Sequence, residues 1–138
     1  MTPKVYKRNI FQRMMGKPMT VPPADAGCWS YSNGRLTIDL ARTPELAEPW
    51  GAINLAAESL PNAVLVMRDG AGVYRAFCNK CSHGGRLLDP VPGTETVCCC
   101  SMGKSTFDYE GNVLSGSAEK PISVYAVEVQ DGKVIVAL

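Results

Sequence analysis

Five of the six cysteines, Cys78, Cys81, Cys98, Cys99 and Cys100, fall within 23 residues, and the sole histidine, His83, stands among them. Thiolate and imidazole are the side chains that hold borderline and soft metals. Three consecutive cysteines are rarely needed for packing, so the cluster predicts a metal centre. Cys81-x-His83 puts one thiolate and one imidazole within reach of a common centre. Gly84 and Gly85 let backbone pass close to a ligand and leave amides to donate to metal-bound sulfur; Lys104 and Ser105 line the second segment, with the Ser105 hydroxyl a further donor.

Other chemistries for the same residues are weaker. Gly103-Lys104-Ser105 resembles the end of a phosphate-binding loop, but Cys98 occupies the position where that loop needs glycine. A Cys81 nucleophile with His83 as base lacks a third orienting group. Cys78 ends an apolar stretch and Cys28 lies fifty residues upstream, so both read as small buried side chains.

The segments that must position these residues are short and alternating. "CWSYSNGRLTIDL" (28–40) predicts a hairpin turning at Asn33-Gly34, where a two-residue turn needs positive φ. "TPELAEPW" (43–50) is a proline-bounded connector of at most one helical turn. Strands are predicted at "AINL" (52–55), "AVLVMR" (63–68), "VYRAFC" (73–78), "STFDY" (105–109), "ISVYAVEVQ" (122–130) and "KVIVAL" (133–138). Turns at Asp69-Gly70, Glu110-Gly111-Asn112 and Asp131-Gly132 separate them. The cysteine segments 78–90 and 98–107 are placed in loops, and "GTET" (93–96), led in by Asp89-Pro90-Val91-Pro92, is read as a stiff turn. The expected body is all-β, a small sandwich or barrel of short antiparallel strands.

Composition narrows the rest. At 138 residues and 46% apolar the chain can bury a real core. A net charge of +1 excludes nucleic acid as a main partner. No apolar run reaches the eighteen or so residues of a membrane span, and no signal-peptide stretch is present. A cytoplasmic location is therefore expected, where structural disulfides are disfavoured. Charge is uneven: Lys4, Lys7, Arg8, Arg13 and Lys17 face no acid before residue 25, leaving 9 basic and 13 acidic side chains beyond it. Tyr6, Ile10, Phe11, Met14 and Met15 are read as an apolar stripe on a short helix ended by Gly16 and Pro18, expected to dock on the protein's own body, with a partner or a membrane surface as the alternatives. The expected organisation is arm and hairpin over 1–49, then a body over 50–138.

"VYRAFCNKCSHGG", the sixteen-residue gap from His83 to Cys100 and the tail from "TFDYEGN" onward resemble the Rieske iron–sulfur family. The resemblance covers residues 50–138 and implies an all-β fold with two cluster-binding loops, a [2Fe–2S] cluster and one-electron transfer. It implies Cys81, His83 and Cys100 as ligands, with His83 nearest solvent as the exit for the electron and Leu87 and Leu88 beside it as shield or docking face. Counting back from Phe107 puts Gly103 where the family has its second histidine. With one histidine, the two-histidine, two-cysteine site cannot form within this chain.

Four readings of the centre follow. The first is a [2Fe–2S] cluster on Cys81, His83, Cys100 and a further cysteine, Cys99 before Cys98. Adjacent cysteines in extended backbone have Cβ atoms roughly 5.5 Å apart, enough to reach different irons. The second fills the Gly103 gap with solvent, Asp108 or an outside thiol. The third is structural zinc on Cys78, Cys81, Cys98 and Cys100. The fourth is a fold retained without a cofactor, as a binding module. The implied partner is a protein, either a reductase or an oxygenase or oxidoreductase subunit. A chain ending at Leu138 leaves no room for a catalytic iron domain, so an electron-transfer protein or subunit is expected rather than a stand-alone enzyme.

Overall fold

The computed structural model describes residues 20, 22–80, 87–91, 93–99, 105–116 and 120–138. Among the described residues, eleven strands form two antiparallel sheets. The hairpin strands β1 (Trp29–Ser32) and β2 (Arg35–Asp39) turn at Asn33 and Gly34, whose φ values of 52° and 75° are those the sequence predicts there. A 3-10 turn at Pro44–Leu46 is all the helix that the proline-bounded connector makes. Then come β3 (Ala52–Leu55), β4 (Val64–Arg68) and β5 (Tyr74–Cys78). After the cysteine region lie β10 (Val124–Gln130) and β11 (Lys133–Ala137). The order across this seven-stranded sheet is β1-β2-β11-β10-β5-β4-β3. The hairpin at 28–40 is thus part of the body's own sheet, through β2 on β11.

The second sheet is β6 (Leu88–Val91), β7 (Thr96–Cys99), β8 (Thr106–Asp108) and β9 (Val113–Ser115), in that order. The sequence reading leaves β6, β7 and β9 as loop or turn. The turn read at "GTET" is present at 93–95, but it is the tip of a hairpin that pairs Leu88 with Cys99 and Val91 with Thr96, and so draws Pro90 into a strand. Proline is tolerated because β6 is an edge strand, with no second neighbour to receive its missing N–H.

Two cores divide the molecule, and β4 and β5 separate them. Val64, Val66 and Ala76 face one core together with Leu36, Ile38, Ile53, Leu55, Val134 and Val136. Residues from β2 and β3, far apart in strand order, meet there, so the larger sheet curls around its own interior. Leu65, Met67 and Phe77 face the other core, against Leu88, Val97, Cys99 and Phe107 of the smaller sheet. Strands buried on both faces read as continuous apolar runs, which is why "AVLVM" shows no alternation. Each buried Leu, Val or Phe contributes about 1.5–3 kcal/mol.

Candidate metal centre

Cys81, His83, Gly84, Gly85, Cys100, Gly103 and Lys104 lie outside the described residues. What the structure gives is the frame from which they emerge. The first cysteine segment leaves β5 through Asn79 and Lys80 and returns at Leu87 into β6. The second leaves β7 at Cys99 and returns at Ser105 into β8.

Three contacts bind those four roots together. Asn79, 1% exposed, accepts the Leu88 amide on its Oδ1 at 2.6 Å, closing the first loop at its base. The Asn79 side-chain amide donates to Asn54 Oδ1 at 2.7 Å, so the clamp is itself fixed to β3. Leu88 pairs with Cys99, whose N–H donates to the Ser105 carbonyl at 2.7 Å and closes the second loop. Both cysteine loops therefore spring from one end of the smaller sheet. The donor set suits an iron–sulfur group: thiols and one imidazole on two loops rooted side by side over an apolar core.

The described site residues separate by face. Cys99 is fully buried in the core between the sheets, with Leu88, Val97 and Phe107. Cys98 points the opposite way and is half-buried, level with Asp89 on one side and Thr106 on the other. Ser105 is 1% exposed at the return of the second loop. Leu88 is fully buried and Leu87 half-buried. Asp108, considered for the Gly103 gap, has its carboxylate committed to its own turn. It accepts from the Asn112 and Glu110 amides at 2.9 Å each and from Asn112 Nδ2 at 3.2 Å. The Asn112 amide foremost holds the Asp108 carboxyl below the usual range.

Cys78 lies on the other side of β5. It is half-buried and hydrogen-bonded to Tyr125, which pairs with Ala76 and packs on the core inside the larger sheet. Burial, then this bond with Cys78, pushes the Tyr125 hydroxyl up to about 12. Cys78 and Cys98 thus face away from each other, with β5, the inter-sheet core and β7 between them. The zinc set containing both is not assembled, and among the described residues no three metal-ligating side chains converge. Cys28, read as core, is 1% exposed.

Sequence reasoning missed Asn79 and Asp89. Asn79, between two cysteines in "CNKC", looks like spacer, and only the strand ending at Cys78 hints that it caps a loop. Asp89 next to Pro90 looks like a turn residue. It is instead 1% exposed and accepts the Thr20 amide on Oδ1 at 2.7 Å.

Two stacked antiparallel sheets with paired cysteine loops at one end define the class, and comparison supplies the family. The family model for the Rieske [2Fe–2S] domain matches residues 41–126, so the chain belongs to that family. It is 32% identical over 76 residues to the cytochrome b6-f complex iron–sulfur subunit of Chlorobaculum tepidum, covering 54% of this chain and 40% of that protein's length. Among solved structures it resembles the ferredoxin of carbazole 1,9a-dioxygenase from Nocardioides aromaticivorans. There the TM-score is 0.57 at 22% identity, over 68% of this chain and 89% of that one. It also resembles a chain from a complex of reduced oxygenase and oxidized ferredoxin in carbazole 1,9a-dioxygenase. That match has a TM-score of 0.62 at 21% identity, over 77% of this chain and 94% of that one. These likenesses establish the fold.

Proposed function

We propose that the protein carries single electrons on a [2Fe–2S] cluster held by Cys81, His83, Cys100 and Cys99. The observation that carries this reading is the pairing of Leu88 with Cys99, which roots both cysteine loops at one end of the smaller sheet. When bound, the cluster supplies a one-electron couple. The chain's own residues do the rest. Asn79 and the Cys99–Ser105 backbone bond hold the loop roots fixed, which limits reorganisation when charge arrives. Leu88 and Phe107 exclude water from beneath. Gly84 and Gly85 leave amides for sulfur, as do Lys104 and Ser105 on the second loop.

Cys99 is chosen as fourth ligand because it stands at the root of the second loop and directly opposite the root of the first. A fully buried cysteine is also what a core side chain looks like, so ligation is decided by substitution. The partner is a protein, a reductase or an oxygenase or oxidoreductase subunit, in keeping with the oxygenase–ferredoxin pairing of one structural neighbour. No helix among the described residues is long and apolar enough to cross a membrane. The reading assigns the protein to the cytoplasm, where six reduced cysteines are ordinary.

The deciding experiment is iron, zinc and acid-labile sulfide analysis of anaerobically purified protein, with an EPR spectrum after dithionite reduction. About two irons and two sulfides with a rhombic reduced signal support the carrier. Zinc without sulfide, or no metal, overturns it.

A further inference from the structure

The cysteine loops occupy one end of the smaller sheet and leave its other end without a role. β6 and β7 pair Leu88 with Cys99 at the end that bears the loops and Val91 with Thr96 at the far end, about 10 Å along the strands. Beside that far end, between the hairpin tip at 93–95 and the turn at 69–71, lies a cleft of about 220 Å³. Pockets for drug-sized ligands begin at roughly 300 Å³, so this one suits a group the size of a single side chain.

Its walls combine two aromatic rings with two carboxylates, and no basic residue lines it. Trp50 is held in the left-handed region at φ 68°, where a bulky residue is strained. Its amide donates to the Arg68 carbonyl at 2.7 Å and the Arg68 amide to the Gly51 carbonyl at 2.9 Å, so two bonds to β4 keep that backbone in place. The indole lies against Gly70, where a Cβ would come within 2.5 Å of the ring, so glycine there is what admits the indole to the wall. Tyr109 is the second ring, and its hydroxyl donates to the Thr94 carbonyl at 3.3 Å.

The carboxylates have acceptor capacity left. Asp69 accepts the Ala71 and Val73 amides on Oδ1 and Arg75 Nε on Oδ2. A carboxylate offers about four acceptor positions, so one remains on Oδ2. Glu95 is exposed at the hairpin tip, and its carboxylate has no partner among the described residues. Arg75 offsets the Asp69 charge from outside the lining, which leaves Glu95 to give the cleft its net negative sign. The Tyr109 hydroxyl feels this field: burial foremost, then Asp69, with Glu95 adding and Arg75 opposing, pushes it up to about 12.

We infer that this cleft binds a small organic cation bearing N–H donors, a primary alkylammonium or a guanidinium group. Aromatic rings attract such a cation, and the free acceptor positions of Asp69 and Glu95 take its N–H bonds with charge assistance. The group arrives either on a free amine or on a lysine or arginine side chain of another protein. The site stands apart from the cysteine loops and does not depend on the electron-carrier reading.

The test follows tryptophan fluorescence of the full chain as n-butylammonium chloride is added at constant ionic strength. Trp29→Phe leaves Trp50 as the only tryptophan, since Trp29 packs on the other core. The native chain is titrated alongside, with Trp29 as a constant background. The expected result is a saturable change, weaker with tetramethylammonium, which has no N–H to donate. Glu95→Gln, an exposed change that leaves the fold intact, should raise the half-saturating concentration about two- to fivefold. Glu95→Lys should abolish saturation. A capped glycyl-lysyl-glycine peptide separates the two sources. Tighter binding than butylammonium assigns the site to a partner's side chain and equal or weaker binding assigns it to a free amine, and both support the cation site. A change that does not saturate, that tetramethylammonium matches, or that both Glu95 variants retain overturns it.

Discussion

Asn79 and Leu88 stand nine residues apart in sequence and are joined by a 2.6 Å hydrogen bond from the Leu88 amide to Asn79 Oδ1. Everything between them is the first cysteine loop. The same Asn79 side chain donates to Asn54 on β3, so one buried amide ties the loop's exit and return to the larger sheet. Replacing it with leucine of similar volume strands the Leu88 amide and the Asn54 carbonyl in an apolar setting. Asn79→Leu should cost about 1–3 kcal/mol of stability. It should also lower iron content, because Cys81 and His83 lose their common base. Urea denaturation and iron analysis on the same preparation check both; full iron in a destabilised protein would mean that the loop holds its shape without the clamp.

The fourth ligand is separable by size-matched substitution. Valine fills the space of the Cys99 side chain among Leu88, Val97 and Phe107 at little packing cost, below about 1.5 kcal/mol. Cys99→Val should therefore fold normally and lose iron, as should Cys100→Ser. Cys98→Ser, on the opposite face of β7, should keep about two irons per chain. If Cys99→Val keeps its iron instead, Cys99 is a core residue and the fourth position passes to Cys98.

How much of this is legible in the chain depends on what each residue's neighbours are. The Asn33-Gly34 hairpin and the strands from Ala52 to Cys78 follow from local rules, since turn chemistry and apolar runs act over a few residues. β3 in particular coincides with "AINL". β6 and β7 do not follow from local rules. Pro90 and two cysteines break the usual strand composition, and those residues extend because Leu88, Val97 and Cys99 can bury themselves against Met67 and Phe77 of a distant sheet. Long-range burial overrides local signal there. The cysteines and His83 are legible as metal ligands because their chemistry is rare. Asn79 and Asp89 are not, because a clamp made of a common polar residue shows itself only when both ends are placed.

Exchange of a neutral imidazole for a thiolate adds negative charge to the oxidised centre and makes it harder to reduce. Two-histidine centres span roughly −150 to +300 mV, and all-cysteine plant-type clusters lie near about −400 mV. With Cys81, Cys99, Cys100 and His83 as ligands, the midpoint should fall between about −400 and −150 mV in an EPR-monitored redox titration. A midpoint above that window would mean that the fourth ligand is not a thiolate.

Asp69 makes the last expectation, and it concerns acid. The residue is 5% exposed and its carboxylate accepts three hydrogen bonds at 2.9 Å, from the Ala71 and Val73 amides and from Arg75 Nε. The Arg75 guanidinium in turn lies over the Tyr109 ring at 4.6 Å. Burial pushes the Asp69 carboxyl up, but Arg75 and the two amides outweigh it and hold the group below the usual carboxylate range. A carboxyl depressed on folding stabilises the native state above the unfolded value of about 3.9, and that contribution disappears as the pH falls through the folded value. Asp69→Asn should therefore be less stable than the native chain at pH 7, by about 1–3 kcal/mol. The gap should begin to narrow below about pH 4, where the unfolded chain takes up a proton at this carboxyl while the folded chain still holds it ionised, and should close only as the pH falls through the depressed folded value. Urea midpoints of the two proteins at matched iron content, taken from pH 7 down to pH 3, measure the gap directly. A gap that stays constant over that range would show that the Asp69 charge contributes nothing to the fold and that only its shape matters.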